Sequence, residues 1–212
     1  MKKASAALAI ALIGALCTTT THAQDGKSVR FGLLAAPHMA WLKSDTKGLS
    51  NDGSVLGFKF GLMGDFMIGA NQNYAFATGL YYMVATGVKV KAEDGSDREG
   101  SELKLSYVQL PLTMKLKTNE IGYMTYYGQI GADLGLNTSA KVDGEDVSDA
   151  VNTFRAGLVV GAGLEYNISG NTSLMAGITY NNGLTNLYSN DDSAGDAKGK
   201  LNYLELTLGV FF

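Results

Sequence analysis

From Leu204 to Phe212 every second residue is large and apolar. Leu204, Leu206, Leu208, Val210 and Phe212 fall on one face of an extended chain, and Tyr203, Glu205, Thr207, Gly209 and Phe211 on the other. Period-2 alternation belongs to a strand, whose side chains point to opposite faces in turn. The chain is 46% hydrophobic, yet no later run approaches the ~20 consecutive apolar residues of a membrane-spanning helix. Any membrane span must therefore be made of strands. An alternating strand that closes on an aromatic residue is the usual last strand of an outer-membrane β-barrel, and assembly machinery reads that terminus. The apolar face is then expected to meet lipid.

The same alternation recurs along the chain and predicts eight strands, at about 29–43, 55–69, 74–91, 102–118, 123–141, 153–169, 172–188 and 200–212. Tight linkers at 70–73, 119–122 and 170–171 alternate with longer polar ones at 44–54, 92–101, 142–152 and 189–199. Short turns on one rim and long loops on the other predict an all-β fold, an eight-stranded antiparallel up-and-down transmembrane barrel. Both termini are expected on the short-turn, periplasmic side.

Which face is inside is decided by the glycines. Gly32, Gly57, Gly61, Gly79, Gly131, Gly157, Gly163, Gly177 and Gly209 all share the polar parity. A narrow eight-stranded lumen holds little more than side chains, so small residues belong there among long polar ones. A soluble carrier barrel would turn its Phe and Leu residues inward instead. On the first strand Phe31 and Trp41 share the apolar parity ten residues apart, roughly 25 Å along the normal at ~3.3 Å per residue and ~40° tilt. With Tyr82, Tyr126, Tyr166, Tyr180, Tyr188 and Phe212 they are expected to form two aromatic girdles at the lipid interface.

The fourth strand breaks phase. Leu103 and Leu105 alternate one way, while Val108, Leu110, Leu112, Met114 and Leu116 alternate the other, so a β-bulge is expected near Ser106 or Tyr107. Pro111 has no N–H for the ladder and marks a second irregularity. This segment, Tyr107-Val-Gln-Leu-Pro-Leu-Thr-Met-Lys115, resembles the Tyr-x-Glu-x-Pro-x-x-x-Lys strand of PorT-like outer-membrane β-barrel proteins. Phe31-Gly32, Thr78-Gly-Leu-Tyr81, Gly161-Ala-Gly-Leu-Glu-Tyr166, Tyr180-Asn-Asn-Gly-Leu-Thr-Asn186 and the closing strand are similar to that family in the same order. Gln109 stands where the family usually carries an acid. The resemblance implies an outer-membrane barrel and no single biochemical activity.

At the N-terminus Lys2 and Lys3 precede the apolar run 4–16, and Thr21-His-Ala23 offers small residues before a cut ahead of Gln24. Residues 1–23 are expected to be a signal peptide and 24–212 the barrel domain. Leu16 sits directly before Cys17, where lipid attachment requires a small residue. Without Cys17 the exported chain has no cysteine and no disulfide. Removing Lys2 and Lys3 from 17 basic residues leaves 15 against 20 acidic ones, and the net charge of −5 argues against a nucleic-acid partner.

The inward parity carries Arg30, Lys59, Lys89, Lys115 and Arg155 against Asp65, Asp133, Glu165 and Glu205. Unpaired charges in a confined lumen cost too much, so a structural cross-strand ion-pair network is expected, with Glu165 and Glu205 as partners for Arg155 or Lys115. The competing reading is a narrow channel for small solutes. A third is a lipid-modifying enzyme built on His38, near Ser44 and Asp45 in sequence but without a triad spacing. No cofactor or metal motif is present in the sequence. The acidic runs at 93–99, 143–149 and 191–196 are expected in the extracellular loops, where a protein partner, or divalent cations bridging to lipopolysaccharide, would fit; none matches an EF-hand. Outer-membrane lipid and the barrel-assembly machinery are the other expected partners.

Overall fold

A computed structural model describes residues 29–44, 54–69, 71–90, 101–142, 145–147, 151–170, 172–187 and 199–212. The expected signal peptide and most of the acidic runs lie outside the described residues. The alternating segments form β1 (Val29–Ser44), β2 (Val55–Ile68), β3 (Tyr74–Val90), β4 (Ser101–Lys117), β5 (Met124–Val142), β7 (Phe154–Ser169), β8 (Thr172–Gly183) and β9 (Gly199–Phe211). A two-residue strand, β6 (Glu145–Asp146), folds back on the end of β5. Each long strand pairs antiparallel with the next, β5 with β7, and β1 with β9, so eight strands close a barrel without free edges.

Short turns join β2 to β3, β4 to β5 and β7 to β8 on one rim, where both ends of the barrel chain also lie. Gly122 and Gly170 adopt left-handed φ values of 68° and 52° there, a region that costs glycine nothing. The seam ends with the Phe212 N–H donating to the Phe31 carbonyl at 3.0 Å. Phe211 turns into the lumen, and Phe212 points out at 58% exposure.

The two faces follow the parity of the sequence. In β2 Leu56, Phe58, Phe60, Leu62 and Ile68 are exposed, while Lys59, Met63 and Asp65 are buried. The glycines make room on the inner wall. Tyr127 of β5 lies across Gly163 and Gly177, which face each other between β7 and β8. Met63 of β2 crosses Gly32 toward Gly209.

Both prolines interrupt one ladder. Pairing between β3 and β4 lapses opposite Pro111, between Thr78↔Leu112 and Tyr81↔Gln109, and the β1–β9 pairing lapses at Pro37. Register is kept in both places, as expected where a single donor is missing. The bulge differs from expectation. The β4–β5 register does shift at Ser106/Tyr107, but the extra residue sits in β5, opposite, and a second lies in β3 between Met83 and Thr86. Leu105 therefore keeps the phase of Tyr107 and is wholly buried inside. The neighbours absorb the slip, and β4 stays regular.

The strand expected at 172–188, β8, stops short at Gly183. After Gly183 the chain bends across the mouth: the Leu184 N–H donates to Ala156 O at 2.8 Å, and the Leu187 N–H to Gly199 O at 2.8 Å. Leu187 and Val151 are buried as a result.

Candidate functional site: the lumen

Inward parity brings charged side chains from distant strands into one narrow space, and they sort into tiers. At the short-turn end, Lys115 Nζ contacts Asp65 Oδ2 at 2.8 Å and Glu165 Oε1 at 3.7 Å. Arg30 Nη1 and Lys117 Nζ each reach Glu165 Oε2 at 2.8 Å, and Lys117 lies 3.8 Å from Asp65. Three cations thus share two carboxylates. The Phe211 ring supports the excess charge, 4.2 Å from Arg30 Cζ and 5.1 Å from Lys115 Nζ, with the Tyr127 ring 4.9 Å from the same ammonium. Below this tier an open vestibule of about 360 Å³, bordered by Asn71, Asn73, Asn119 and Asn167, faces the short-turn side.

In the middle, Lys59 pairs with Glu205 between the Tyr81 and Tyr203 rings. A cavity of about 50 Å³ lies beside them, lined by Thr113, Gln129, Thr179 and Thr207 among others, polar enough and large enough to hold a few waters. Above it, Asp133 Oδ2 accepts from Arg155 Nη1 at 2.9 Å, Asn181 Nδ2 at 3.0 Å and the Tyr203 hydroxyl at 3.0 Å. Arg155 also donates to Asn181 and to the Leu201 carbonyl at 3.1 Å, and Gln109 Nε2 donates to Tyr203 at 3.2 Å. The long-loop end is closed by apolar side chains: Ala40, Met83, Leu105, Tyr107, Ala140, Val151, Leu187 and Leu201, with Val147 packed against them.

Arg30, Lys59, Asp65, Lys115, Asp133, Arg155, Glu165 and Glu205 therefore all reach the lumen; Lys89 lies in β3, its side chain outside those described. Two expected pairings are corrected. Arg155 takes Asp133 rather than either glutamate, because the diagonal from β7 to β5 is shorter than any path across the barrel. Glu205 takes Lys59 rather than Arg155 or Lys115, while the expected Lys115–Glu165 pair does form, at 3.7 Å, with Asp65 nearer at 2.8 Å. Lys117 was missed although it shares the parity of Lys115 two residues on, which was signal enough. The apolar cap had no such signal, since Val151 and Leu187 come from loop-flanking segments.

His38 is 3% exposed within the lumen, beside the Tyr203 ring at 5.7 Å and beneath the cap. Its side chain lies on the inner face of the barrel, away from the apolar exterior. Outside, Phe31 meets Phe66 edge-on at 6.5 Å, Tyr123 lies 6.2 Å from Tyr166, and Trp41 stacks on Tyr180 at 6.1 Å. Phe31, Tyr126, Tyr166, Tyr180 and Phe212 are exposed, and Trp41 is half-buried against its partner. Tyr188 lies outside the described residues.

A closed antiparallel barrel with an apolar outer belt and an ion-paired lumen defines an integral outer-membrane β-barrel. A family model, "Outer membrane protein beta-barrel domain", matches residues 22–189, and the chain belongs to that family. Among curated protein sequences none matches. Similar solved structures include Neisserial surface protein A (22% identity over 85% of this chain and 95% of that one, TM-score 0.49). The attachment invasion locus protein Ail of Yersinia pestis, solved with the heparin analogue sucrose octasulfate, gives 19% identity over 86% and 99%, with a TM-score of 0.43. OprG of Pseudomonas aeruginosa gives 11% over 88% and 98%, with a TM-score of 0.47.

Proposed function

We propose that this protein is a plugged, non-conducting outer-membrane barrel whose work is done at its long-loop rim, in a structural or interaction role. One observation carries the reading: ionic tiers and an apolar cap lie in series along the lumen, and a solute would have to displace all of them. Residues 1–23 act as a cleaved signal peptide, and the strand ending at Phe212 engages the assembly machinery. The acidic runs take a basic partner or cation-bridged lipopolysaccharide. Within the wider family the Tyr107–Lys115 motif favours a PorT-like relative.

A narrow channel is the second reading, favoured by the vestibule and the polar cavity above it. Single-channel recording of the full chain in a planar bilayer separates the two. A folded, inserted protein is expected to stay silent, and so is Arg155→Met, because the other tiers and the cap remain. Discrete openings from either protein would replace the plugged barrel with a channel.

A further inference from the structure

At the long-loop rim the register places Lys43 of β1 directly opposite Lys200 of β9. Both belong to the outward parity, with Lys43 exposed and Lys200 half-buried. Like charges directly opposite on adjacent strands are destabilising. Among the described residues neither ammonium forms an ion pair. Asp45 and Asp196, the acids nearest in sequence, lie outside the described residues. A second facing pair, Lys104 and Lys141 on β4 and β5, supplies the contrast. There β6 sets Asp146 opposite Lys141, and neither Lys104 nor Asp146 is without a partner. Among the described residues, a carboxylate-bearing strand faces one lysine pair and not the other.

What lies beneath Lys43 and Lys200 defines the ligand. Two residues down, about 7 Å along the strand, Trp41 stacks on Tyr180 at 6.1 Å. Asn202 lies buried opposite Trp41, its Oδ1 accepting from the Gly183 N–H at 3.0 Å, which anchors this corner. Below come Met39 and Leu204, paired and exposed, part of the apolar belt. Aromatic girdles mark the headgroup level of a bilayer, so two ammonium groups just above one stand at phosphate height.

We propose that Lys43 and Lys200 bind the phosphate group of an outer-leaflet lipid, whose acyl chains run down the Trp41–Tyr180 face. The phosphate oxygens accept charge-assisted hydrogen bonds from both ammonium groups and relieve their repulsion. A free phosphate satisfies the lysines only, whereas a phospholipid satisfies the aromatic and apolar surface too. The inference rests on the exterior facing lipid.

Trp41 is the sole tryptophan of the chain, so its fluorescence reports this corner alone. The full chain is inserted into phosphatidylcholine vesicles containing increasing fractions of phosphatidic acid, with folding followed by a heat-dependent gel shift. A saturable change in Trp41 emission is expected. The double variant Lys43→Gln/Lys200→Gln should need about tenfold more phosphatidic acid for half the change, and Lys43→Arg/Lys200→Arg should restore the midpoint. No change with phosphatidic acid, or the same midpoint in the glutamine variant, overturns the site. Inorganic phosphate giving the same change in pure phosphatidylcholine vesicles overturns the lipid as its ligand. Failure of the wild-type chain to insert overturns the barrel reading along with it.

Discussion

Asp65 shows what one buried residue is asked to do. It is 1% exposed, accepts from Lys115 at 3.0 and 2.8 Å, and lies 3.8 Å from Lys117. Its removal would leave three cations facing Glu165 alone. Asp65→Asn is isosteric, so the loss isolates charge from shape. We expect it to cost about 3–5 kcal/mol, the usual penalty for stripping one partner from a buried pair. Urea unfolding in detergent micelles measures this, and a cost under about 1 kcal/mol would mean the tier is hydrated and screened. Parity alone told which residues enter the lumen, because a side chain's face depends only on its own strand. It could not tell partners, which depend on how far each strand is staggered against strands several places away.

At the scale of elements, that stagger follows a rule visible only in the assembled barrel. Lys59 of β2 passes over Ala36 of β1 to reach Glu205 of β9. Lys115 of β4 passes over Ala75 and Ala77 of β3 to reach Asp65 of β2, and Gln129 of β5 crosses Gly161 of β7 to Thr179 of β8 at 3.1 Å. In these three bridges a long side chain skips one strand, and the skipped position carries alanine or glycine. The small residues were legible as inward-facing, but their role as bridges was not. A methyl group tests how tightly each bridge is drawn. At Gly131 an added Cβ meets the Leu112 carbonyl oxygen and Thr113 Cα, both backbone, whereas at Gly209 the nearest atom is the flexible Met63 methyl at 2.7 Å. Gly131→Ala should cost about 1–3 kcal/mol and Gly209→Ala clearly less. Equal unfolding midpoints for the two variants would show that the backbone at Gly131 yields freely. The bulge beside β4 carries the same lesson: a phase break was readable near Ser106, but which of three strands held the extra residue was not, since pairing decides it.

For the whole molecule, the decisive division is between a sealed interior and an apolar exterior, and only half of it was written locally. Most of the exterior could be read strand by strand from the alternation, the start of β4 excepted, where Leu105 turns inside. The seal at the long-loop end could not, because Val151 and Leu187 join it by bending back over the mouth. The exterior also separates a membrane barrel from a soluble one. Leu206 lies near the middle of the apolar band, 48% exposed, while Phe212 sits at the short-turn rim of the same strand face. In lipid an arginine costs roughly 2–4 kcal/mol at the midplane and ~0–1 kcal/mol near the interface. In water both substitutions would stay within about 0.5 kcal/mol, as surface changes do. Leu206→Arg and Phe212→Arg, unfolded by urea from phosphatidylcholine vesicles, should therefore differ by about 2 kcal/mol or more, with Leu206→Arg the less stable. Equal and small losses would mean that the Leu206 face does not lie in hydrocarbon, and the inside-outside assignment of the barrel would have to be redrawn.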